Sequence, residues 1–410
     1  MRRFIVLTIG LAGALALALR SVPPARADVT IHCLDVGQGD ATLIQSSSGL
    51  TLLFDAGDNG KGNAIVNPYL TNLGILQLTY AVASHYHADH IGGLDEVIYG
   101  TGVDVACYDR GWSYTTQTYQ SYASASGAMR RTLADGEEID LGDGVRVRCV
   151  AVNGNGVIAA PFSQPPYDEN DLCIGLLVSC GDFDFYVGGD LGGQNAGGYK
   201  DIESSLAAEV GPLEVYRVDH HGSSYSTNAT LVSAFAPTVA VVSVGTNSYG
   251  HPSQTVLNRL AAADSYIYQT ERGSGGTLPA GSGEIVNGHV VIQTTGYFSY
   301  TVAGDVYPLA GPAEGPGDPS ASPGIALAAG PNPFHGVTTI RYHARDAARP
   351  ARLRIFDADG RLVRGWDVRG AGELRWDGRD AQGREMAAGL YFVALDGRAD
   401  ANVARIVLAR

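Results

Sequence analysis

Positive charge is scarce where a polyanion binder would need it. Residues 28–307 hold 10 Lys and Arg against 30 Asp and Glu. A protein that grips polymeric nucleic acid by its backbone gains affinity by neutralising phosphates with those side chains. That mode is therefore excluded as the main source of binding, although local clusters such as Arg130-Arg131 and Arg146 with Arg148 remain able to serve. Cysteine is also rare: five in 410 residues, Cys33, Cys107, Cys149, Cys173 and Cys180, with no C-x-x-C pair. This excludes the common thiolate metal sites. Outside the cytoplasm one or two disulfides with an odd thiol are allowed, while burial as small apolar side chains on strands is the other reading. Beyond residue 27 no apolar run approaches the roughly twenty residues that cross a bilayer, so no transmembrane segment is expected in the mature chain.

The one long apolar run is at the N-terminus. Arg2-Arg3 precede residues 4–19, and Ala25-Arg26-Ala27 offers a small-x-small cleavage site before Asp28. The run is short for a span, so residues 1–27 are expected to be a signal peptide and the mature protein to be secreted, extracellular or at the cell surface. The rest exceeds one typical domain. Strand patterns at 29–36, 41–44 and 51–57, punctuated by Gly37-Gln38-Gly39-Asp40, predict a sheet begun by hairpins. A helix at 67–73, a strand at 78–83 and a helix at 91–99 follow. Strands are predicted again at 145–152, 173–179, 183–187, 213–218 and 239–244, a helix at 254–263, and two strands within 285–302. Strands alternating with helices make an α/β domain over residues 28–307. Between 111 and 129, Trp112, Tyr114, Tyr119 and Tyr122 sit among small polar residues; they either line a groove by stacking or cover a helix or loop. Residues 308–330, dominated by Pro, Gly, Ala and Ser, are predicted to be a linker. Residues 331–410, with 14 basic and 10 acidic residues, alternate apolar and polar positions around an Asp359-Gly360 turn. They predict a small all-β sandwich with no catalytic constellation.

Chemistry concentrates in Ser84-His85-Tyr86-His87-Ala88-Asp89-His90, where three imidazoles and a carboxylate follow a buried strand. These are the ligands that divalent transition ions accept at neutral pH. His85 and His87, two apart, can project to one side, and Asp89 and His90 lie where the next helix begins, so each half can hold one of two ions. Asp190 ends an apolar strand at Gly-Gly-Asp-Leu, where a carboxylate can bridge two cations or cap a helix. His220-His221-Gly222-Ser223-Ser224 adds imidazole and backbone amides suited to an anion. His251, in Tyr249-Gly250-His251-Pro252, is placed either to contact a leaving group or phosphoryl oxygen or to make one structural hydrogen bond.

Taken with Asp35-Val36-Gly37-Gln38-Gly39-Asp40 and Phe54-Asp55-Ala56-Gly57, these motifs resemble the metallo-β-lactamase fold superfamily. More narrowly they resemble the soluble hydrolase domain of the ComEC competence proteins. The resemblance implies a four-layer αβ/βα sandwich with the site at one edge of two facing sheets, and two divalent cations, Zn or Mn. By that likeness His85 and His87 bind the first ion, Asp89 and His90 the second, and Asp190 bridges. His220 or His221 closes the second site, with His220 preferred as nearer the strand end. Asp55 orients a ligand histidine, and Asp40, Asn170, Asp171, His221, Gly222 and Ser223 surround the ions or the substrate. The superfamily often has a further histidine between His90 and Asp190. Here Asn170-Asp171 stands instead, so an open position at the first ion is expected. The cations would make hydroxide available at neutral pH, with Asp89 orienting it and His251 and the Gly222 and Ser223 amides holding phosphoryl oxygens.

The function implied is a secreted metal-dependent hydrolase, a phosphodiesterase or nuclease with DNA or RNA as substrate. Two alternatives stand beside it. One is hydrolysis of a small or cell-wall ester or lactam, which needs no basic track; the other is a non-catalytic surface protein with a degenerate metal site. Pro331-Asn332-Pro333-Phe334, the hairpin around Asp359-Gly360, Trp376-Asp377-Gly378-Arg379-Asp380 and Ala388-Gly389-Leu390-Tyr391-Phe392 resemble the FlgD-type immunoglobulin-like module and related sorting domains. That likeness implies contact with a cell surface or secretion machinery, or a stabilising appendage.

Overall fold

The computed structural model describes residues 29–158, 167–294, 296, 299–309, 326–330, 334–343, 351–369, 371–395 and 403–409. The expected leader, 1–27, and residues 310–325 of the expected linker lie outside them. Strands β1 (Val29–Cys33), β2 (Thr42–Ser46), β3 (Thr51–Phe54), β4 (Leu78–Val82), β5 (Val103–Asp109) and β6 (Arg130–Thr132) belong to one sheet. The other contains β7 (Glu138–Asp140), β8 (Val145–Ala151), β9 (Gly175–Cys180), β10 (Phe183–Val187), β11 (Val215–Arg217), β12 (Val239–Val242), β13 (Tyr266–Gln269) and β14 (Gly283–Ile285). The chain then returns to the first sheet as β15 (Val290–Thr294), β16 (Ser299–Val302) and β17 (Asp305–Pro308), with β15 antiparallel to β1.

Each sheet changes character midway. β1 to β3 are antiparallel, as the hairpin reading expected, and β3 to β6 run parallel. β7 to β10 are antiparallel and β10 to β14 parallel. Parallel neighbours need crossovers. α1 (Asn67–Asn72), α2 (Ala88–Ile91), α3 (Leu94–Gly100) and α4 (Gln117–Ser126) supply them in the first half, and α5 (Glu203–Val210), α6 (Ala229–Phe235) and α7 (Gln254–Ala262) in the second.

Side-chain alternation along the strands sets the layers. Ile31, Ile44, Leu52 and Phe54 from one sheet meet Val147, Leu176, Val178, Phe185 and Val241 from the other in a central core. The opposite positions, Leu43, Leu53 and Ala81, pack under Leu70, Leu94, Val97 and Tyr122 of α1, α3 and α4. On the far side Tyr186, Tyr216 and Val242 pack under Leu206, Leu231, Phe235 and Leu257 of α5 to α7. The result is the expected four-layer αβ/βα sandwich. All five cysteines are free and buried, which removes the disulfide reading.

The parallel strands deliver their carboxyl ends to a common edge, where open α/β sheets bind ligands. The predicted helix at 91–99 is instead α2 and α3, divided at Gly92-Gly93, where a Cβ at either would overlap backbone of Asn59 or Ala56.

The C-terminal region has a three-stranded sheet, β18 (Ala326–Gly330), β19 (Thr338–His343) and β22 (Ala371–Trp376). Its second sheet is β21 (Leu362–Val368), β20 (Ala351–Asp357), β23 (Gly389–Leu395) and β24 (Val403–Leu408). Phe334, Ile340, Leu353, Ile355, Trp376, Val393 and Ile406 form their core. The expected Asp359-Gly360 turn is present, with Gly360 at φ 73°. Ala326–Gly330, assigned to the linker by composition, is corrected to a strand paired with β19: backbone hydrogen bonds, not side-chain pattern, hold it there.

Candidate metal centre

Asp55, wholly buried at the end of β3 with φ 59°, organises the histidine loop. Its carboxylate accepts the Ser84 amide at 2.8 Å, the Ser84 hydroxyl at 2.6 Å and His90 Nδ1 at 2.8 Å. A carboxylate only accepts, so His90 donates from Nδ1 and leaves a lone pair on Nε2. His90 Nε2 lies 3.1 Å from Asp190 Oδ1. His85, also wholly buried, has Nδ1 3.0 Å from Ser84 Oγ and Nε2 3.0 Å from His87 Nδ1. Burial, with His90 and His87 nearby, pushes the His85 pKa well below the usual histidine range, so it is a neutral, ligand-ready imidazole.

Between them the Tyr86 amide donates to Glu169 Oε1 at 3.0 Å, and Arg110 grips Glu169 through Nε at 2.8 Å and Nη2 at 2.7 Å. This buried pair clamps the loop from behind. Sequence reasoning missed it because Arg110 and Glu169 show no motif; only their burial marks them. Of the two readings of the aromatic stretch 111–129, the covering one holds for its helix. Tyr119 and Tyr122 of α4 are buried around the Tyr86 ring.

Of the two histidines left open for the closing position, His221 rather than the preferred His220 groups with His90 and Asp190. His220 and His221 both take left-handed φ, 53° and 51°, so the backbone coils after β11 and nearness to the strand end no longer decides which ring reaches the cluster. His221 Nδ1 donates to the Ser243 carbonyl at 2.9 Å. Its Nε2 then faces Asp89 Oδ2 at 3.5 Å and Asp190 Oδ1 at 3.6 Å. His220 Nε2 instead approaches the other oxygen, Asp190 Oδ2, at 3.6 Å.

Asp190 thus divides the site, Oδ1 toward His90 and His221 and Oδ2 toward His220. His90 Nε2, His221 Nε2 and Asp190 Oδ1 are buried, lack a hydrogen-bond partner and point at one another. Lone pairs facing lone pairs in a buried space repel unless a proton or cation lies among them. The donor set therefore fits a divalent cation. His85, His87 and Asp190 form a second group of suitable atoms. Burial opposes ionisation of Asp89, but the facing His221 and His90 rings bring its pKa down to about 2.

The profile of the metallo-beta-lactamase superfamily matches residues 34–246, just over half of the chain. The chain belongs to the metallo-β-lactamase superfamily. The FlgD Ig-like domain profile matches residues 334–400. Among curated proteins, the chain is 27% identical over 265 residues to "Competence protein ComA" of Neisseria gonorrhoeae, covering 64% of this chain and 33% of that protein. It is 27% identical over 251 residues to "Recombination protein 2" of Haemophilus influenzae, covering 58% of this chain and 27% of that protein. The chain therefore spans about a third or less of these relatives' length. A solved diphosphatase of the PhnP family aligns with a TM-score of 0.34 at 14% identity, covering 64% of this chain and 95% of that one.

The remaining expected residues of this superfamily site fall into place unevenly. Asp40 is buried behind the cluster: it pairs with Arg217 and faces the Nδ1 sides of His90, at 3.8 Å, and His221, at 3.9 Å. Since both Nδ1 atoms already donate elsewhere, Asp40 supports rather than ligates. Asn170 Nδ2 stands 3.4 Å from His220 Nε2, at the cleft. Asp171 is a support: its Oδ2 accepts the Lys200 amide at 2.9 Å. Burial raises its pKa to about 7. The Ser223 amide is not free for substrate either, because it donates to the His220 carbonyl at 2.8 Å. Gly222, φ 77°, packs on Pro252, where a Cβ would come within 2.8 Å, and is not among the described residues lining the cleft. His251 does line it, its ring 5.4 Å from that of His220. Burial, then the neighbouring His220 and His221, lowers its pKa to about 4. Asn247, unmarked in the sequence, fixes the loop by accepting the amides of Tyr249, Gly250 and His251 at 3.0–3.1 Å. In the basic clusters Arg130 pairs with Asp109, Arg146 with Asp140 and Arg148 with Glu209, while exposed Arg131 bonds the Ala128 and Arg130 carbonyls. Among the described residues no helix is long and apolar enough to cross a membrane.

Proposed function

We propose that this metallo-β-lactamase superfamily hydrolase is a secreted phosphodiesterase that acts on nucleic acid. The observation that carries the reading is the divided Asp190 carboxylate at the floor of an open cleft of about 510 Å³, with histidine ligand atoms on either side. Asp89, His90 and His221 with Asp190 would hold one divalent cation, and His85 and His87 with Asp190 a second. The mixed nitrogen and oxygen donors suit Zn or Mn. Bound there, such cations would acidify a water and offset charge on phosphoryl oxygens.

The chain's own groups do the rest. Asp89, ionised at neutral pH, accepts a hydrogen bond from the attacking water and aims it. His251, neutral at pH 7, donates a ring N–H to a non-bridging oxygen. Asp55 and the Ser243 carbonyl keep the His90 and His221 lone pairs turned inward. The competence and recombination proteins to which the chain is similar favour nucleic acid as the source of the diester. The charge, apolar run and small-x-small end of residues 1–27 support export, and the FlgD-like region supports contact with a cell surface or secretion machinery. One observation favours a second reading, hydrolysis of a small ester or lactam: among the described residues lining the cleft there is no Lys or Arg.

The test is a single panel. Purified protein is assayed for bound metal, then offered single- and double-stranded DNA, RNA, a chromogenic phosphodiester and a chromogenic lactam, with and without manganese. Diester cleavage lost on chelation, and lost in His87→Ala with folding intact, is expected. Turnover unaffected by either overturns the assignment.

A further inference from the structure

In place of cations, one wall of the cleft carries a row of rings. Tyr225 and Tyr199 have centroids 5.0 Å apart, Tyr199 meets His220 edge-on at 5.7 Å, and His220 lies 5.4 Å from His251. His251 in turn stacks with Tyr249 at 5.7 Å and an interplanar angle of 21°. His220, in the middle, is the member that reaches Asp190. A tyrosine pair therefore stands at one end of the row and a single tyrosine at the other, with His220 and His251 between them.

These tyrosines are not core residues. Tyr249 keeps 72% of its surface exposed and Tyr225 37%. An exposed tyrosine would ordinarily sample many orientations, yet Tyr249 is held parallel to a buried histidine by a loop that Asn247 clamps through three amides. The Tyr225 backbone is fixed by its amide to Ser223 Oγ at 3.2 Å and by its carbonyl, which accepts the Gly193 amide at 2.8 Å, and its ring packs on that of Tyr199. Flat apolar faces held still beside a phosphodiester centre are stacking platforms, and stacking tolerates any base because every base has a π-face.

Resting on the phosphodiesterase reading, we infer that Tyr199 with Tyr225 and Tyr249 form two base-stacking subsites flanking the scissile phosphodiester. The substrate is then a strand whose bases are unpaired on both sides of the cut. A duplex keeps its bases stacked on each other and shows only its backbone. Gripping that backbone takes Lys and Arg, which are absent among the described lining residues of the cleft and few in an acidic domain. An unpaired base offers its face, and losing one aromatic platform costs on the order of 5- to 150-fold in binding.

The experiment compares Tyr249→Ala, Tyr225→Ala and the matching Phe variants in the full chain. Substrates are a single-stranded oligonucleotide, the same sequence as a duplex, and a chromogenic diester with one nitrophenyl ring and no base. In each Ala variant the ratio of kcat/KM for the single strand to that for the base-free diester falls on the order of 5- to 150-fold. The fall is carried by KM, and the Phe variants keep the wild-type ratio. Fluorescence anisotropy of the labelled strand in chelator, where nothing is cut, gives the same ordering. An unchanged ratio and unchanged anisotropy in both Ala variants overturn the subsites while leaving the phosphodiesterase reading standing, as does duplex turnover equal to that of the single strand. Absence of any diester turnover by the wild type sinks that reading and the subsites with it.

Discussion

Asp55→Asn isolates one charge behind the metal cluster. Asn is the substitution of choice because it tolerates the left-handed φ of 59° at this position better than most residues, so the backbone stays where it is. The carboxylate accepts three hydrogen bonds, two from Ser84 and one from His90 Nδ1. An amide offers one acceptor oxygen and one donor nitrogen. If the oxygen keeps the Ser84 amide, the nitrogen faces His90 Nδ1, and two N–H groups oppose each other. The imidazole escapes by moving its proton to Nε2, the atom 3.1 Å from Asp190 Oδ1, which removes the lone pair a cation needs. Loss of such an orienting partner typically costs 10- to 100-fold in metal affinity, about 1.4 to 2.8 kcal/mol. Losing charge-assisted hydrogen bonds in a buried place also costs about 1–3 kcal/mol of fold stability, so both quantities must be read. Equilibrium dialysis against graded zinc gives the first and chemical denaturation of the metal-free protein the second. Ser84→Ala is the control, since it removes the hydroxyl bond but leaves His90 on Asp55, and its metal affinity falls by less. An Asp55→Asn protein that binds metal within about threefold of the wild type refutes the tautomer reasoning, whatever its stability.

His221→Ala abolishes tight binding of the ion held with Asp89 and His90, whereas His220→Ala weakens it by at most about tenfold, within the range for an outer partner; equal losses by metal analysis would restore His220 as the closing ligand. Burial, then His289, lowers the His32 pKa from 6.5 to about 4. The folded chain therefore binds fewer protons than the unfolded one between those pH values, and stability rises with pH there. The contribution is complete above pH 6.5 and lost as pH falls toward 4, up to about 3 kcal/mol, and His32→Gln flattens that slope in denaturation curves across the window. Phe185→Ala, at the contact of the two sheets, lowers stability by about 3–5 kcal/mol by leaving a cavity; a loss under 1 kcal/mol would contradict a central core there. Oligonucleotide KM changes less than about tenfold between 50 and 200 mM salt, against the roughly 10³–10⁵ expected for six to ten phosphate contacts, and a steep salt dependence would contradict the cation-poor cleft.

Much of the sandwich is legible because inner and outer cores sit on opposite faces of the same strands. Phe183, Phe185 and Val187 face the central core while Tyr186 between them faces the helices, and a short apolar run of this kind reads as a buried strand. β5 escapes notice because Asp104 and Asp109 interrupt its apolar residues and look like loop. Yet Asp109 is buried on Arg130 and Tyr122, a pairing that only the fold can bring about. The strand Ala326–Gly330 escapes for the opposite reason. Its Ala and Gly composition carries no period, and its place follows from the ladder with β19.

The candidate site divides along the same line. His85, His87, Asp89 and His90 are legible because one strand end and one turn carry them all, so sequence spacing stands in for spatial distance. His220 against His221 is not, since the choice depends on two consecutive left-handed residues and on the Ser243 carbonyl, 22 residues away, which turns the second ring. Nothing in a His-His pair announces positive φ, which non-glycine residues adopt rarely. The supports are less visible still: Glu169, gripped by Arg110, and Asn247 act by holding backbone amides, and no residue type is reserved for that work. A ligand motif thus states what can bind, while the surrounding acceptors state which nitrogen faces inward. At Asp190 that second statement assigns His90 and His221 to one oxygen and His220 to the other, a division that no spacing along the chain encodes.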